Sequence, residues 1–386
     1  MWELSLLLLP VAALSGWYAA RRGQKKILRQ SASSRMASHY LARLGLLEPE
    51  ADKALDTFLK SMEVNQDTLE THLELAGLFR KRGEVDRAIR IHQYLIARTN
   101  LSNDQRSHSL YQLAYDYMRA GLFDRAEELF LELATQRTYQ EQSLRQLIEI
   151  YQQQHDWERA IQVAEQLAQV TNQSMSISIA HYYCELAEMA RDEEDWPRMQ
   201  DWINNALRIN SQSARANLLT AELAIEQGRH KPALRVYQRL TQENTAFIPA
   251  ILNSIIVNYQ LLGHEPEYFN ILMSCLQEVG STAAVVTVLD KLPEFQSDVM
   301  APSIIRQLQV TPSIWGVQAL IKLFISDKKD PLYENLHVLQ QVVQKIVAEH
   351  PLYRCDGCGF ASKTWDWWCP SCKSWETIKP LGSLVN

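Results

Sequence analysis

A small residue returns at a near-constant distance along the middle of this chain. Ala54 and Ala88 are 34 residues apart, Ala88 and Ala126 are 38 apart, and Ala126 and Ala160 are again 34 apart. One pattern surrounds them. Leu75-Ala76, Phe79, Gly83, Ala88 and His92 recur as Leu113-Ala114, Tyr117, Gly121, Ala126 and Phe130, then as Leu147, Tyr151, His155, Ala160 and Ala164. A weaker copy runs Leu186-Ala187, Ala190, Trp196, Met199 and Ile203, and further copies show at Gly228, Ala233 and Tyr237 and at Tyr259 and Gly263. An earlier copy holds Ala54 and Phe58. A unit this short carries one pair of helices, and one pair cannot bury its apolar face alone. The copies must therefore stack.

This period, with its alternation of small and large residues, is that of the tetratricopeptide repeat. The small residue lets the two helices of a copy approach closely, and the glycine supplies a left-handed or otherwise strained turn between them. The segments GEVDRAI (Gly83–Ile89) and GLFDRAE (Gly121–Glu127) place Asp86 and Asp124 just before the second helix, where a cap is expected. The fold class expected is all-α: a repeat superhelix with a concave surface over 35–275, followed over 276–350 by two divergent helical pairs. Apolar runs Ala283–Leu289 and Trp315–Ile325 mark that second region, with Pro293, Pro302, Pro312 and Pro331 punctuating it.

At the N-terminus Trp2–Ala20 is a mostly apolar run whose one charge, Glu3, lies at its outer end. At ~1.5 Å per residue it spans a hydrocarbon core of ~30 Å. Trp2, Trp17 and Tyr18 sit where interfacial aromatics belong. The positive charges Arg21, Arg22, Lys25, Lys26 and Arg29 follow the run, whereas a cleaved signal peptide carries them before it. Residues 1–20 are thus expected to be an uncleaved transmembrane helix. Residues 21–34 then form a basic juxtamembrane linker touching anionic headgroups, with everything beyond in the cytoplasm.

The C-terminal tail holds four of the chain's six cysteines: Cys355, Cys358, Cys369 and Cys372, two CxxC pairs with ten residues between them. Each pair can present two thiolates from one tight turn, and two pairs complete a tetrahedron. One tetrahedral ion, zinc or iron, is the expected occupant of a domain over 351–386. Gly359 is expected to turn the backbone so that its amide region faces the sulfurs. Trp365, Trp367, Trp368 and Trp375 are expected to cover the site and dock it onto the last helices. Cys184 and Cys275 read as small buried hydrophobes.

The rest of the chain offers no catalytic or cofactor-binding set. No nucleophile–base pair, phosphate loop or open metal site stands out, so the expected class is non-enzymatic. The histidines His39, His72, His92, His155, His181, His230 and His264 show no ligand spacing, and His72 and His92 read as packing residues. The run Asp192–Asp195 reads as a solvated turn between helices. A net charge of −6 argues against nucleic acid as a partner.

An N-terminal anchor with a basic flank, tetratricopeptide repeats and a terminal CxxC–CPxC pair together resemble the lipopolysaccharide assembly protein B family of Gram-negative bacteria. The stretches LLLLPVAALSGWYAARR (Leu6–Arg22), LFRKRGEVDRAIRIHQ (Leu78–Gln93), AGLFDRAEELF (Ala120–Phe130) and CPSCKSWETIKP (Cys369–Pro380) carry the likeness, which covers essentially the whole chain. The resemblance implies a rubredoxin-like C-terminal domain packed on the repeats, with Cys355, Cys358, Cys369 and Cys372 as its ligands. It implies a single-pass inner-membrane protein with repeats and metal domain on the cytoplasmic side. It also implies a regulator acting with the membrane-anchored AAA+ zinc protease on the UDP-acyl-N-acetylglucosamine deacetylase of lipid A synthesis. Other lipopolysaccharide synthesis or sensing proteins and inner-membrane lipids are further implied contacts. Two alternatives stand beside it: a scaffold gathering lipopolysaccharide enzymes, and an iron-loaded electron carrier. The loop between the pairs is shorter than in true rubredoxins, which argues against the carrier.

Overall fold

The computed structural model describes residues 55, 57, 59, 66–98, 101–243, 297–310, 314–325, 333–349 and 351–381. The predicted anchor and linker, the copy at Tyr259 and Gly263, and Cys275 lie outside them, as do His39 and His264. No described helix is long and apolar enough to cross a membrane.

Among the described residues five helix pairs follow one another: α1 (Gln66–Lys81) with α2 (Val85–Ile96), α3 (Asn103–Arg119) with α4 (Phe123–Ala134), α5 (Gln140–Gln153) with α6 (Trp157–Thr171), α7 (Ser176–Asp192) with α8 (Trp196–Ile209), and α9 (Ala214–Glu226) with α10 (His230–Glu243). Residues through Gln173 form one compact unit and residues from Ser174 a second. In the first, α2 packs on α3 and α4 on α5; in the second, α7 packs on both α8 and α9. The small residues of the repeat are where the helices meet. Ala76, Ala88, Ala114, Ala126, Ala160 and Ala187 are fully buried, beside Phe79, Phe130 and Leu147.

The turns inside the pairs share one geometry. Gly83, Gly121, His155, Glu194 and Gly228 all have positive φ, between 56° and 83°. The next residue in each case donates its N–H to the carbonyl five residues back: Glu84 to Phe79, Leu122 to Tyr117, Asp156 to Tyr151, Asp195 to Ala190 and Arg229 to Ala224. These are the long bonds of a Schellman ending, which needs a left-handed residue before the donor. Asp192–Asp195 is such a turn, as the sequence suggested. The caps differ from expectation by register. The second helices begin at Val85 and Phe123, so Asp86 and Asp124 lie inside the first turn, where they favour the helix dipole. The capping position falls on Glu84 and Leu122, whose side chains make no cap bond. In the third and fourth pairs it holds Asp156 and Asp195, which accept from the N–H of Arg159 and Arg198 at 3.1 Å.

His72 is a packing residue, buried, with Nδ1 2.7 Å from the Thr68 carbonyl. His92 is more than that. Its Nδ1 lies 2.6 Å from Asp116 Oδ2, and Arg80 Nε lies 2.6 Å from Asp116 Oδ1. The fully buried Asp116 thereby ties α1, α2 and α3 together.

Three further helices, α11 (Ser297–Val310), α12 (Ile314–Phe324) and α13 (Tyr333–Glu349), pack in sequence, α12 against both others. Two pairs were expected over 276–350; the described residues hold these three helices. Pro302 does not punctuate them but sits inside α11, where its missing N–H removes one ladder bond near the helix start. The tail then forms a three-stranded antiparallel sheet of order β2–β1–β3, from β1 (Tyr353–Cys355), β2 (Ala361–Ser362) and β3 (Ile378–Pro380). Tyr353 faces Ser362 on one side and Pro380 on the other.

Candidate metal centre

The two CxxC segments are built alike. In the first, the residue after the second cysteine is Gly359 with φ of 77°; in the second it is Lys373 with φ of 58°. Gly359 N–H bonds the Cys355 carbonyl at 2.9 Å, and Lys373 N–H bonds the Cys369 carbonyl at 2.8 Å. The left-handed residue closes each knuckle back on its first cysteine. The role expected of the Gly359 amide is therefore corrected. It closes the turn, while the amides facing the Cys355 sulfur belong to Gly357 and Cys358 and those facing Cys369 to Ser371 and Cys372.

These turns bring all four sulfurs within 4.8 Å of one another. Cys355 and Cys372 Sγ are 3.6 Å apart, and Cys358 and Cys369 Sγ 3.7 Å. A disulfide would require about 2.05 Å. Four thiolates at about 2.3 Å from one ion stand about 3.8 Å apart, so the cluster has the dimensions of a tetrahedral site. Cys355 and Cys369 are buried and Cys358 is exposed. Burial works to raise the Cys355 thiol, but Thr377 Oγ1, 3.2 Å away, and the two amides outweigh it and bring the group down to about 6. The Ser374 hydroxyl lowers Cys372. Burial pushes Cys369 up to about 12, so this thiol needs a cation's charge to ionise. All four positions of a tetrahedron are filled by the chain, leaving none for water or substrate.

The tryptophans divide their work. Trp365 packs both on the cysteine cluster and, with Trp367, on the core of α9 and α10, next to Ala221, Ala233 and Tyr237. An isolated antiparallel bridge pairs Trp368 with Trp375, and the Glu376 N–H bonds the Trp367 carbonyl at 2.8 Å. Trp375 stacks on His181 of α7, ring centres 4.5 Å apart and planes 12° apart, while Trp367 approaches the same ring at 5.6 Å. Tyr182 meets Trp375 edge-on at 6.0 Å, and Arg215 of α9 stands 5.9 Å over its ring. His181 Nε2 lies 3.0 Å from Glu376 Oε1. Arg215 is itself held by Glu185 at 2.7 Å and Glu188 at 2.9 Å. These docking contacts reach back to α7, α9 and α10, which supply aromatic and ion-paired partners.

His181, Arg215 and Glu376 were not singled out as docking residues. The available signal was α7's breadth of apolarity: Ile179, Ala180, His181 and Tyr182 are four consecutive buried residues, so more than one face is covered. Cys184 on the same helix is buried, and burial pushes its thiol up to about 12, which fits an inert packing residue.

The fold and site define a class: a tetratricopeptide-repeat protein carrying a four-cysteine ribbon clamped on its repeats. Residues 71–104 match the tetratricopeptide repeat family, and residues 353–380 match the rubredoxin metal binding domain family. The chain is 36% identical to lipopolysaccharide assembly protein B of Escherichia coli (strain K12) over 100% of this chain and 99% of that protein. It is 33% identical to the protein of the same name from Haemophilus influenzae, over 99% of each. Among solved structures, a tetratricopeptide repeat protein from Parabacteroides merdae covers 72% of this chain and 99% of its own at 16% identity, with a TM-score of 0.33. The chain belongs to the lipopolysaccharide assembly protein B family.

Proposed function

We propose that this protein is a non-enzymatic adaptor of the bacterial inner membrane that controls lipopolysaccharide synthesis. It brings the UDP-acyl-N-acetylglucosamine deacetylase to the membrane-anchored AAA+ protease. The observation that carries the non-catalytic reading is the closed four-thiol site locked onto the repeats. With no open coordination position, the ion held by Cys355, Cys358, Cys369 and Cys372 serves to fold and hold the ribbon. Full-length identity to proteins named for lipopolysaccharide assembly supports the process. The apolar run Trp2–Ala20 with its basic flank supports the anchor. Confinement to the membrane plane beside the protease raises the effective concentration of a bound client.

Deletion of residues 1–20, with deacetylase turnover followed in cells, tests the tethering. Slowed turnover is expected; turnover at the normal rate by the soluble form sinks the idea. Metal analysis with a visible spectrum separates the adaptor from the electron carrier: one zinc in colourless protein excludes the carrier. Co-purification separates it from the scaffold, which need not retain the protease.

A further inference from the structure

The first compact unit carries a groove of 680 Å³ between α1 and α3, within the ~300–1,000 Å³ range of small-ligand sites. Its two ends carry opposite charge. Glu70 and Glu74 line one part of α1, while Lys81 and Arg119 lie at the C-terminal ends of α1 and α3. All four are exposed, and among the described residues no ion pair engages any of them. Arg80, beside Lys81 in the last turn of α1, is fixed in the wall by Asp116 at 2.6 Å and by Gln112, which accepts from its Nη2 at 2.7 Å. The groove is therefore charged, polarised and rigid.

Gly77 forms part of the lining and sits in the middle of α1. A helix-interior glycine costs about 0.5–1 kcal/mol against alanine. Close packing does not demand it: a Cβ there meets nothing within 4 Å, and φ is not left-handed. Nor does the repeat demand it, since the equivalent positions of the next two copies are Tyr115 and Glu149. The glycine leaves open a space that no described residue fills.

We propose that this groove binds an extended peptide segment of a client protein, carrying a cationic side chain toward Glu70 and Glu74 and a carboxylate toward Lys81 and Arg119. Lys81 lies about 10–16 Å along the helix from Glu74 and Glu70 at ~1.5 Å per residue. An extended chain covers that span in about three to five residues at ~3.3 Å each. Leu73 and Leu78 give the intervening residues an apolar wall. A phosphorylated glycolipid suits the groove less well, because its anionic groups would meet the two glutamates. The role of the segment rests on the adaptor reading above; the binding chemistry does not.

The test titrates detergent-solubilised full chain by calorimetry with acetyl-Lys-Ala-Leu-Ala-Glu-amide and with the same composition in reverse charge order. Two like-charged peptides, with Lys or Glu at both positions, serve as comparisons. One opposite-charge order should bind at least about tenfold tighter than either like-charged peptide, and Lys81→Glu with Arg119→Glu should remove that advantage. Gly77→Leu should abolish binding while the melting temperature stays level or rises. The proposal is overturned by equal binding of the doubly anionic peptide, by undiminished binding to the Gly77→Leu protein, or by no saturation up to about 5 mM. Peptide binding that Gly77→Leu abolishes, with deacetylase turnover unchanged in cells, would keep the groove and refute its part in the adaptor.

Discussion

Replacing His181 by alanine removes the platform on which Trp375 rests. The near-parallel stack at 4.5 Å is worth about 0.5–1.5 kcal/mol beyond the area it covers. His181 is fully buried and Glu376 only 18% exposed, so the 3.0 Å bond between them is a charge-assisted one in a shielded place, contributing about 1.5–3 kcal/mol. Together the loss is about 2–4 kcal/mol, since Glu376 regains water once the ribbon loosens. The quantity to measure is the free energy of local opening, from hydrogen exchange of the α7 amides in the full chain with metal bound. His181→Ala, Trp375→Ala and the double variant then form a cycle. The coupling should be about 0.5–1.5 kcal/mol, because the bond to Glu376 is lost in His181→Ala whether or not the indole is there. A coupling within about 0.3 kcal/mol of zero, the usual scatter for independent sites, would mean that the stack contributes nothing to docking.

Further outcomes are expected. Chelation, or Cys355→Ser or Cys372→Ser, should unfold residues 351–381 and turn the half-buried Trp365 fully to solvent, seen as a red shift in tryptophan emission; among the described residues the ribbon's own buried core is Cys355, Cys369 and Ile378, too small to fold unaided. Glu194→Gly should stabilise the chain by about 0.5–1 kcal/mol, because a left-handed non-glycine residue costs about 1–2 kcal/mol and glycine returns part of that in entropy. His155→Gly should gain less, since its ring also meets Trp157 at 5.4 Å. Asp116→Ala should cost about 3–5 kcal/mol in denaturant titration by leaving Arg80 and His92 without their shared partner. Burial, against the opposing pull of Glu376 and Glu185 and with Arg215, holds His181 below its ordinary 6.5. The unfolded chain therefore binds the proton first, so this part of the stability is complete above pH 6.5 and is lost as pH falls through the folded value. Against wild type, His181→Gln should flatten the acid limb of stability below pH 6.5.

The legible parts of this molecule are those governed by short-range rules. The repeat's alanines announced themselves because a buried position between two close helices accepts little else, and Ala76, Ala88, Ala114, Ala126 and Ala160 are fully buried. The four cysteines were legible because a knuckle is a local object: each pair is brought into place by one turn and one left-handed residue. Register within a turn was harder. Asp86 looks like a cap by type and position, yet Glu84 occupies the capping place, since the Schellman bond from Glu84 N–H to the Phe79 carbonyl fixes where the next helix begins.

The ribbon's seat was not legible, and the reason is physical rather than a want of signal. The separation of 195 residues between His181 and Glu376 carries no periodicity, and a buried histidine reads the same whether its neighbour is adjacent in sequence or distant. What the fold adds is a consequence for the metal. His181 and Arg215 hold Trp375, which lies three residues beyond Cys372 on the segment that also carries Thr377 beside Cys355. The repeat surface and the thiol cluster therefore constrain the same short stretch from opposite sides. Undocking should loosen the metal, and metal loss should loosen the dock, by equal free energies. A chelator competition on the His181→Ala protein reads this directly: its metal affinity should fall by up to the factor by which chelation reduces α7 protection in the wild type, and an unchanged affinity would show the two to be independent.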